Sequence, residues 1–400
     1  MQLDEWPVGE ITHTLFFPFF FPRLHLLSTE RGVAFSGLYR REPEDSRKPN
    51  GFVTCLKHSP ATFAAEKNKK GKKMMKLKVL LACAAMGMCQ GAAQAQESEK
   101  ENKGKPIIQV FGNFHTGFGS ANDNRGFELD RSYLGYQYQV NRNLEFKAVM
   151  DVGKSSQVDD MQRIAYIKNA QVKWKTGRLT LNGGLISTTA FKVQEDFWGY
   201  RYLRKVLQDQ YSFGSSADLG VSADYRFADW ISADVMVANG EGYKKIQKND
   251  GLQYGLGTTI RPLKGLTLRL YASLNEKSEE AQKNSYVYAA FVGYQHPKFS
   301  IGAEYNRIEN QKQVDGHHLD GISVYTTVKL HPKWKAFARY DNLFSNNNWY
   351  QDKEEATYLG GVEFKPCPYI KIAPNLRYYE AKGAGVKDRW MAYVSCYFGI

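Results

Sequence analysis

Apolar and polar residues alternate along most of this chain, in segments of about ten residues that end in turns. In the segment 266–275, one alternate set consists of four leucines and an alanine, and the other of Thr, Arg, Tyr, Ser and Asn. A period of two places these sets on opposite faces of a β-strand. The pattern therefore predicts an all-β protein whose strands each have one apolar and one polar face.

The alternation predicts sixteen strands, joined by connections that are short and long in turn. Short turns such as 141–143, 176–177 and 297–298 contain Asn, Gly or Pro, which suit tight turns. An even strand number, with short turns at one end and long loops at the other, is typical of bacterial transmembrane β-barrels. The predicted bounds are Ile107–Phe118, Phe127–Val140, Leu144–Val152, Ile164–Lys175, Arg178–Ser187, Ala217–Phe227, Trp230–Asn239, Leu252–Arg261, Leu266–Asn275, Ser285–His296, Phe299–Glu309, Leu319–His331, Trp334–Phe344, Ala356–Pro366, Tyr369–Glu380 and Asp388–Gly399.

An export signal indicates that the apolar faces point outward, towards lipid. Residues 74–95 contain a basic start, an apolar run from Val79 to Met88 and an A-x-A site, which together predict a signal peptide cleaved between Ala95 and Gln96. A lipoprotein signal ending at Cys83 is rejected, since its apolar core is too short. We therefore expect a transmembrane antiparallel β-barrel of about sixteen strands over residues 96–400, located in a bacterial outer membrane and in contact with its lipid.

Residues 1–73 precede this signal and show no period of a helix or a strand. They are either a real leader or the result of a translation start assigned too early. We favour the second explanation, because a signal peptide works from the terminus of the chain. Residues 1–73 are then a non-native or disordered extension.

The charge balance of the barrel is mildly basic. Residues 1–95 hold 14 Lys/Arg and 8 Asp/Glu of the chain's 54 and 41, which leaves residues 96–400 with a formal charge of +7. The excess suits an anion-preferring lumen or surface. No basic helix or zinc signature accompanies it, so we expect no nucleic-acid partner. Cys367 and Cys396 remain after cleavage, and the sequence leaves open whether they pair.

The longest connection, 188–216, is the third long loop. A sixteen-stranded barrel is too wide for side chains alone to fill, so we expect this loop to fold inward and narrow the lumen. Helix formers in 195–211 place Arg201, Arg204 and Lys205 on one helical face, where they would form a positive constriction. The alternative is a solvated helix face on an external loop.

Alternation also places basic residues on the lumen face of the strands. Eleven basic residues against seven acidic ones predict a mild preference for anions, unless the charges pair across strands and cancel. The predicted pore-lining residues are Arg269, Arg339, Arg377, Lys329 and Lys371.

Two other functions compete with a channel. A barrel hydrolase would need a nucleophile and a base at the rim, and His317 and His318 lie in a long loop. Adjacent residues of a strand point to opposite faces, which disfavours chelation, and no catalytic motif or metal signature accompanies them. We therefore expect no enzyme activity, metal or cofactor. The third possibility is a structural or adhesive barrel whose lumen is plugged.

Two segments resemble a known family. Phe127–Gly153 is similar to the second and third strands of the phosphate-selective porin O/P family, and Ile167–Phe191 is similar to the strands before its constriction loop. The similarity is sharp over about 127–227, and the layout matches outer-membrane porins of Bacteroides relatives. The resemblance implies a homotrimeric porin for passive diffusion of small hydrophilic solutes, with anions, phosphate among them, as the preferred class.

Overall fold

The computed structural model describes residues 104–154, 163–247 and 250–400. The extension 1–73, the signal peptide 74–95 and the cleavage site between Ala95 and Gln96 lie outside the described residues. The described residues form one closed barrel of sixteen antiparallel strands. No helix in this part of the chain is long and apolar enough to cross a bilayer.

Each strand of the barrel pairs with its neighbours in sequence, and β1 pairs with β16 to close the sheet. The strands are β1 (Gly104–Phe118), β2 (Arg125–Gln139), β3 (Leu144–Lys154), β4 (Arg163–Thr176), β5 (Leu179–Ser187), β6 (Ala217–Ala228), β7 (Ile231–Ala238), β8 (Gln253–Ile260), β9 (Leu266–Asn275), β10 (Ser285–Gln295), β11 (Phe299–Glu309), β12 (Leu319–His331), β13 (Trp334–Ser345), β14 (Glu355–Cys367), β15 (Ile370–Ala381) and β16 (Arg389–Gly399). Short 3₁₀ turns occupy Gly119–Ala121, Gln311–Gln313 and Gln351–Lys353.

The predicted all-β, sixteen-stranded barrel is confirmed. The bounds of β9, β11 and β12 are those that the alternation predicts, and the other strands differ by one to three residues at an end. The faces also follow the prediction: on β9, Leu270 is 61% exposed on the outer face, whereas Arg269 is 2% exposed on the lumen face. Trp334 and Trp390 lie on the outer face, where exposed aromatic side chains are common in barrels.

β-Bulges interrupt the alternation at two places in the early strands. The pairing of β1 with β2 shifts between Phe111 and Gly112, so that Asp130 is an extra residue on β2. The pairing of β3 with β4 shifts between Val149 and Met150, so that Lys168 is an extra residue on β4. Bulges re-aim side chains, and both extra residues contact lumen-facing partners.

Cys367 and Cys396 are both free in the structure. They lie near the short-turn ends of β14 and β16, at partly exposed positions. The sequence leaves open whether these two cysteines pair, and in the structure they form no disulfide.

A glycine of β5 is required by the backbone. Gly184 has a φ of 100°, and a Cβ there would lie 2.4 Å from the Ala170 carbonyl oxygen. We expect Gly184→Ala to cost about 1–3 kcal/mol of stability through backbone strain. The measurement is the temperature at which the folded barrel changes its mobility on a denaturing gel. Gly183→Ala is the matched control, because its new Cβ would lie 3.8 Å from the Val172 side chain; an equal loss in both variants would contradict the argument.

Candidate functional site

The connection 188–216 contains two short helices, α1 (Lys192–Trp198) and α2 (Leu207–Gln210). Helix α1 ends because Gly199 adopts a left-handed conformation with a φ of 67°, and its N–H bonds to the Glu195 carbonyl. Arg201, Arg204 and Lys205 lie in the non-helical segment that follows. The prediction that they share one helical face is therefore wrong, since the helix stops before it reaches them.

Aromatic and aliphatic residues of this loop pack against the lumen side of the wall. The Trp198 ring centroid lies 5.1 Å from that of Tyr325, and Tyr200 lies 5.2 Å from Phe337. The same cluster buries these loop residues: Phe191, Trp198, Tyr200, Tyr202, Leu203 and Val206. Burial of this much apolar surface holds the loop inside the barrel.

Polar contacts fasten the same loop to several strands. The Arg204 Nε donates to Asp341 at 2.7 Å on β13, and the Tyr202 hydroxyl donates to Glu363 at 2.7 Å on β14. The Gln208 amide donates to Asn306 at 2.8 Å on β11. Arg204 is 6% exposed, so its guanidinium faces the wall rather than open water.

Three of the predicted pore-lining residues lie on the lumen face beneath the loop. Arg269, Arg339 and Arg377 are 2%, 3% and 8% exposed. Arg269 pairs with Asp234 and donates to the Thr189 carbonyl at 2.7 Å, and Arg377 donates to the Leu203 carbonyl at 3.0 Å. Arg269 and Arg377 thus bind the loop backbone.

Arg339 is held between the loop and the wall. Its Nε lies 2.8 Å from Asp341, and its guanidinium carbon lies 5.1 Å from the Trp198 ring centroid and 5.6 Å from that of Tyr325. Such cation–π contacts are strong when water is excluded. The other two predicted residues lie on the lumen face near the short turns, where Lys371 pairs with Glu363 at 3.8 Å and Lys329 is exposed.

Three cations converge on one phenol oxygen where the loop meets strands β2 and β4. The Tyr133 hydroxyl lies 3.1 Å from Arg131 Nη1, 3.2 Å from Lys168 Nζ and 3.3 Å from Arg201 Nε. We call Tyr133, Arg131, Lys168 and Arg201 the Tyr133 cluster. It joins strands β2 and β4 to the loop, and it concentrates positive charge at one point of the lumen.

Carboxylates balance only part of this charge. Arg131 lies 3.2 Å from Asp151, and Arg201 lies 2.8 Å from Glu195 and 2.5 Å from Asp209. Within the described ranges, Lys168 forms no ion pair, and its Nζ lies 4.5 Å from the Tyr133 ring centroid. Lys168 is therefore the cation of the cluster whose field is least neutralised.

Lys205 and Asp209 belong to the loop and interact at 3.5 Å. Burial lowers the pKa of the Lys205 ammonium, against the attraction of Asp209. Burial alone would raise the pKa of Asp209, but the positive charges of Arg201 and Lys205 outweigh it and hold that pKa below its usual range. Asp209 is thus a carboxylate at neutral pH and neutralises part of the loop's charge.

Basic residues continue from the Tyr133 cluster along the inner face of β3 and β4. Lys147 lies within electrostatic reach of Lys173, Lys192 and Lys168. Of these, Lys173 pairs with Glu145 at 3.0 Å and Lys192 with Asp196. The inner face of β3 and β4 therefore carries Lys147, Lys168 and Lys173 beside the carboxylates of Glu145 and Asp151.

Two cavities adjoin the Tyr133 cluster on the long-loop side. One has a volume of about 620 Å³ and the other about 340 Å³, and Arg131 and Lys205 line both. The larger is also lined by Tyr243, whose hydroxyl donates to Asp151 from the connection between β7 and β8. That connection, like 188–216, reaches into the lumen.

The sequence indicates Arg201 and Lys205 at this place but not Arg131, Lys168 or Tyr243. Lys168 is missed because the bulge changes the phase of β4. Tyr243 is missed because nothing in the sequence of the connection between β7 and β8 predicts an inward course. Of the histidine pair His317 and His318, the His317 ring stacks on Trp349, with 3.8 Å between the ring centroids. No group of three potential metal ligands occurs among the described residues.

Comparison with known proteins supports the barrel fold and shows similarity to porins. Residues 212–381 match a family model described as "Putative beta-barrel porin-2, OmpL-like". This is a different porin family from the phosphate-selective O/P family that the early strands resemble. No curated protein matches the chain.

Solved structures share the barrel at low sequence identity. OprB of Pseudomonas putida is 11% identical, with a TM-score of 0.61 over 74% of this chain and 94% of its own. The anion-selective porin from Comamonas acidovorans is 10% identical, with a TM-score of 0.56 over 75% of this chain and 100% of its own. The trimer form of OmpT of Vibrio cholerae is 15% identical, with a TM-score of 0.50 over 75% and 100%. At these identities the likeness establishes the shared fold.

Proposed function

We propose that this protein is an outer-membrane porin that lets small hydrophilic solutes diffuse passively, with a preference for anions. The observation that carries the proposal is the Tyr133 cluster, in which three cations surround one phenol oxygen beside two cavities. The barrel fold and the match of residues 212–381 to a porin family model support the coarser part of the proposal. Diffusion through a wet lumen needs no chemistry and no cofactor.

The anion preference follows from where the loop leaves charge exposed. Arg204, Arg269 and Arg339 are buried and paired with carboxylates, so they anchor the loop and contribute little to the field in the lumen. Lys168 and Lys147 are partly exposed and form no ion pair among the described residues. Rings or rows of basic side chains attract anions and repel cations in a narrow lumen. Inorganic phosphate is a candidate solute.

Export, location and assembly complete the proposal. The signal peptide 74–95 would direct the chain through the inner membrane, and cleavage after Ala95 would release residues 96–400 for insertion. The short-turn end would face the periplasm and the long-loop end the outside. The trimer form of OmpT supports a homotrimer as the assembly of this barrel.

Planar-bilayer recording in a salt gradient tests the function. We expect single-channel current steps with a reversal potential on the anion side, because Lys147 and Lys168 have no carboxylate partner among the described residues. Steps without ion preference would contradict the anion assignment and leave a general porin. A folded barrel that passes no current would instead favour a plugged structural barrel, since the anchored loop then closes the lumen completely.

A further inference from the structure

The 620 Å³ cavity at the long-loop end has the features of a binding site. Its volume lies within the range of about 300–1,000 Å³ that small-molecule sites have. Five cations and two carboxylates line it: Arg131, Lys205, Lys244, Lys245, Lys312, Asp209 and Glu241. We propose that it binds a small polyhydroxylated molecule that carries phosphate or carboxylate groups. The inference rests on the proposed function and names the solute class that the porin would take up.

The charge in this cavity is available to a ligand. Arg131 and Lys205 are engaged by Asp151 and Asp209 at 3.2 and 3.5 Å. In contrast, Lys244, Lys245 and Lys312 form no ion pair within the described ranges, and all three line the cavity. Several ammonium groups around one space favour a phosphate or a carboxylate through charge-assisted hydrogen bonds.

Neutral polar groups distinguish this cavity from a simple anion site. Gln253 of β8, Ser273 and Asn275 of β9 and Ser285 of β10 also line it. Amide and hydroxyl groups both donate and accept hydrogen bonds, as sugar hydroxyls do. The cavity therefore combines cations for the anionic group with neutral polar groups for hydroxyl groups, in a volume much larger than one phosphate needs.

The wall that carries the lysines is fixed in place. The Asp218 carboxylate accepts hydrogen bonds from the N–H groups of Gly240 at 2.7 Å and Gly242 at 3.2 Å. Gly242 has a φ of 79°, and a Cβ there would lie 2.6 Å from the Ser215 hydroxyl. The Tyr243 N–H donates to the Ala217 carbonyl at 3.0 Å. A preformed wall lowers the ordering cost of binding.

An aromatic surface lies beside the lysines. The Lys244 Nζ is 5.0 Å from the Tyr166 ring centroid and 5.7 Å from that of Tyr243. These contacts orient the Lys244 side chain, and Tyr243 is itself part of the cavity lining. The apolar face of a sugar ring packs well on such a tyrosine, so the same wall offers a contact for each part of the proposed ligand.

Calorimetric titration tests the inference. The full-length protein, solubilised in detergent, is titrated separately with glucose 6-phosphate, glucose and inorganic phosphate. We expect glucose 6-phosphate to bind at least about tenfold more tightly than either of the other two, because only it can contact both the cations and the neutral polar groups of the lining. Equal affinity for phosphate would reduce the cavity to a plain anion site and overturn the proposal. Equal affinity for glucose, or no heat with any of the three, would overturn it too.

Matched variants assign the binding to this cavity. We expect the double variant Lys244→Gln/Lys245→Gln to weaken glucose 6-phosphate binding about tenfold, whereas Lys353→Gln, in another long connection, leaves it unchanged. Gln253→Leu should reduce the preference for glucose 6-phosphate over phosphate. Unchanged binding in the double variant would place the ligand elsewhere and refute the site.

The two proposals fail in different ways. A barrel that conducts anions but binds none of the three probes keeps the porin function and loses the binding site. A barrel that binds glucose 6-phosphate in the calorimeter but passes no current keeps the site and loses the porin function. Calorimetry and bilayer recording on the same preparation therefore separate them.

Discussion

Replacement of Arg204 by methionine should loosen the loop 188–216 and so widen the lumen of the barrel. The Arg204 guanidinium is buried and donates to Asp341 at 2.7 Å and to Thr357 at 3.2 Å. Breaking a buried ion pair costs about 3–5 kcal/mol, and we expect the lower end because Arg339 still pairs with Asp341. The loop 188–216 then loses its central attachment to β13 and β14. Single-channel recording should show higher conductance and more current noise.

Lys205→Met is the control for this loop variant. Lys205 is the next residue, its side chain is 35% exposed, and its only ion pair among the described residues is with Asp209 at 3.5 Å. A partly exposed pair of this kind is worth about 1 kcal/mol or less. We therefore expect little change in thermal stability or in current noise, the two readouts that report on the attachment of the loop. If Arg204→Met folds and conducts as the parent does, the remaining contacts of the loop, such as those of Trp198 and Tyr202, hold it without Arg204.

Charge reversal at Lys168 should shift the ion preference from anions towards cations. Lys168 lies at the Tyr133 cluster and forms no ion pair among the described residues, so its charge acts on the lumen directly. Two unit charges at 4 Å interact by about 1 kcal/mol in bulk water and about 4 kcal/mol at an effective dielectric constant of 20. Even the lower value changes a permeability ratio by roughly fivefold. The reversal potential of Lys168→Glu in a salt gradient measures the shift.

Two further variants make the Lys168 result specific. Lys168→Gln removes one charge where Lys168→Glu changes two, so it should give an intermediate reversal potential. Lys298→Glu makes the same charge change in the short turn between β10 and β11, away from the loop. It should leave the preference unaltered. A preference that follows net charge regardless of position would show that the Tyr133 cluster has no special role.

The strands could be predicted from the sequence almost to the residue, for a simple reason. Each strand has one wet and one apolar face, so the period of two is visible wherever the ladder is regular. The turns add independent signals at both ends, as in Leu266–Asn275 and Leu319–His331, whose predicted and observed bounds agree. Arg269, Arg339 and Arg377 lie on the inner face, where the same alternation places them, and their lining of a pore stays a prediction.

What those lumen side chains contact could not be predicted in the same way. Alternation says which face a residue lies on, but not whether a distant loop covers it, and the contact between Arg204 and Asp341 spans 137 positions. The bulge at Lys168 moves one side chain without any change in composition that would mark it. The sequence predicts a helix that includes Arg201, Arg204 and Lys205, because these residue types favour helices. In the structure the helix ends earlier, at Gly199.

The pairing of β1 with β16 has a consequence for how the molecule is made. Gln109 pairs with Gly399 and Phe118 with Trp390, so the ends of the described barrel meet along a full ladder. The edge of β1 stays unpaired until the last eleven-residue strand is available. Contacts so distant in sequence form slowly, and an open edge invites pairing with other chains. During biogenesis the chain must therefore be kept apart from its own copies until its final strand arrives.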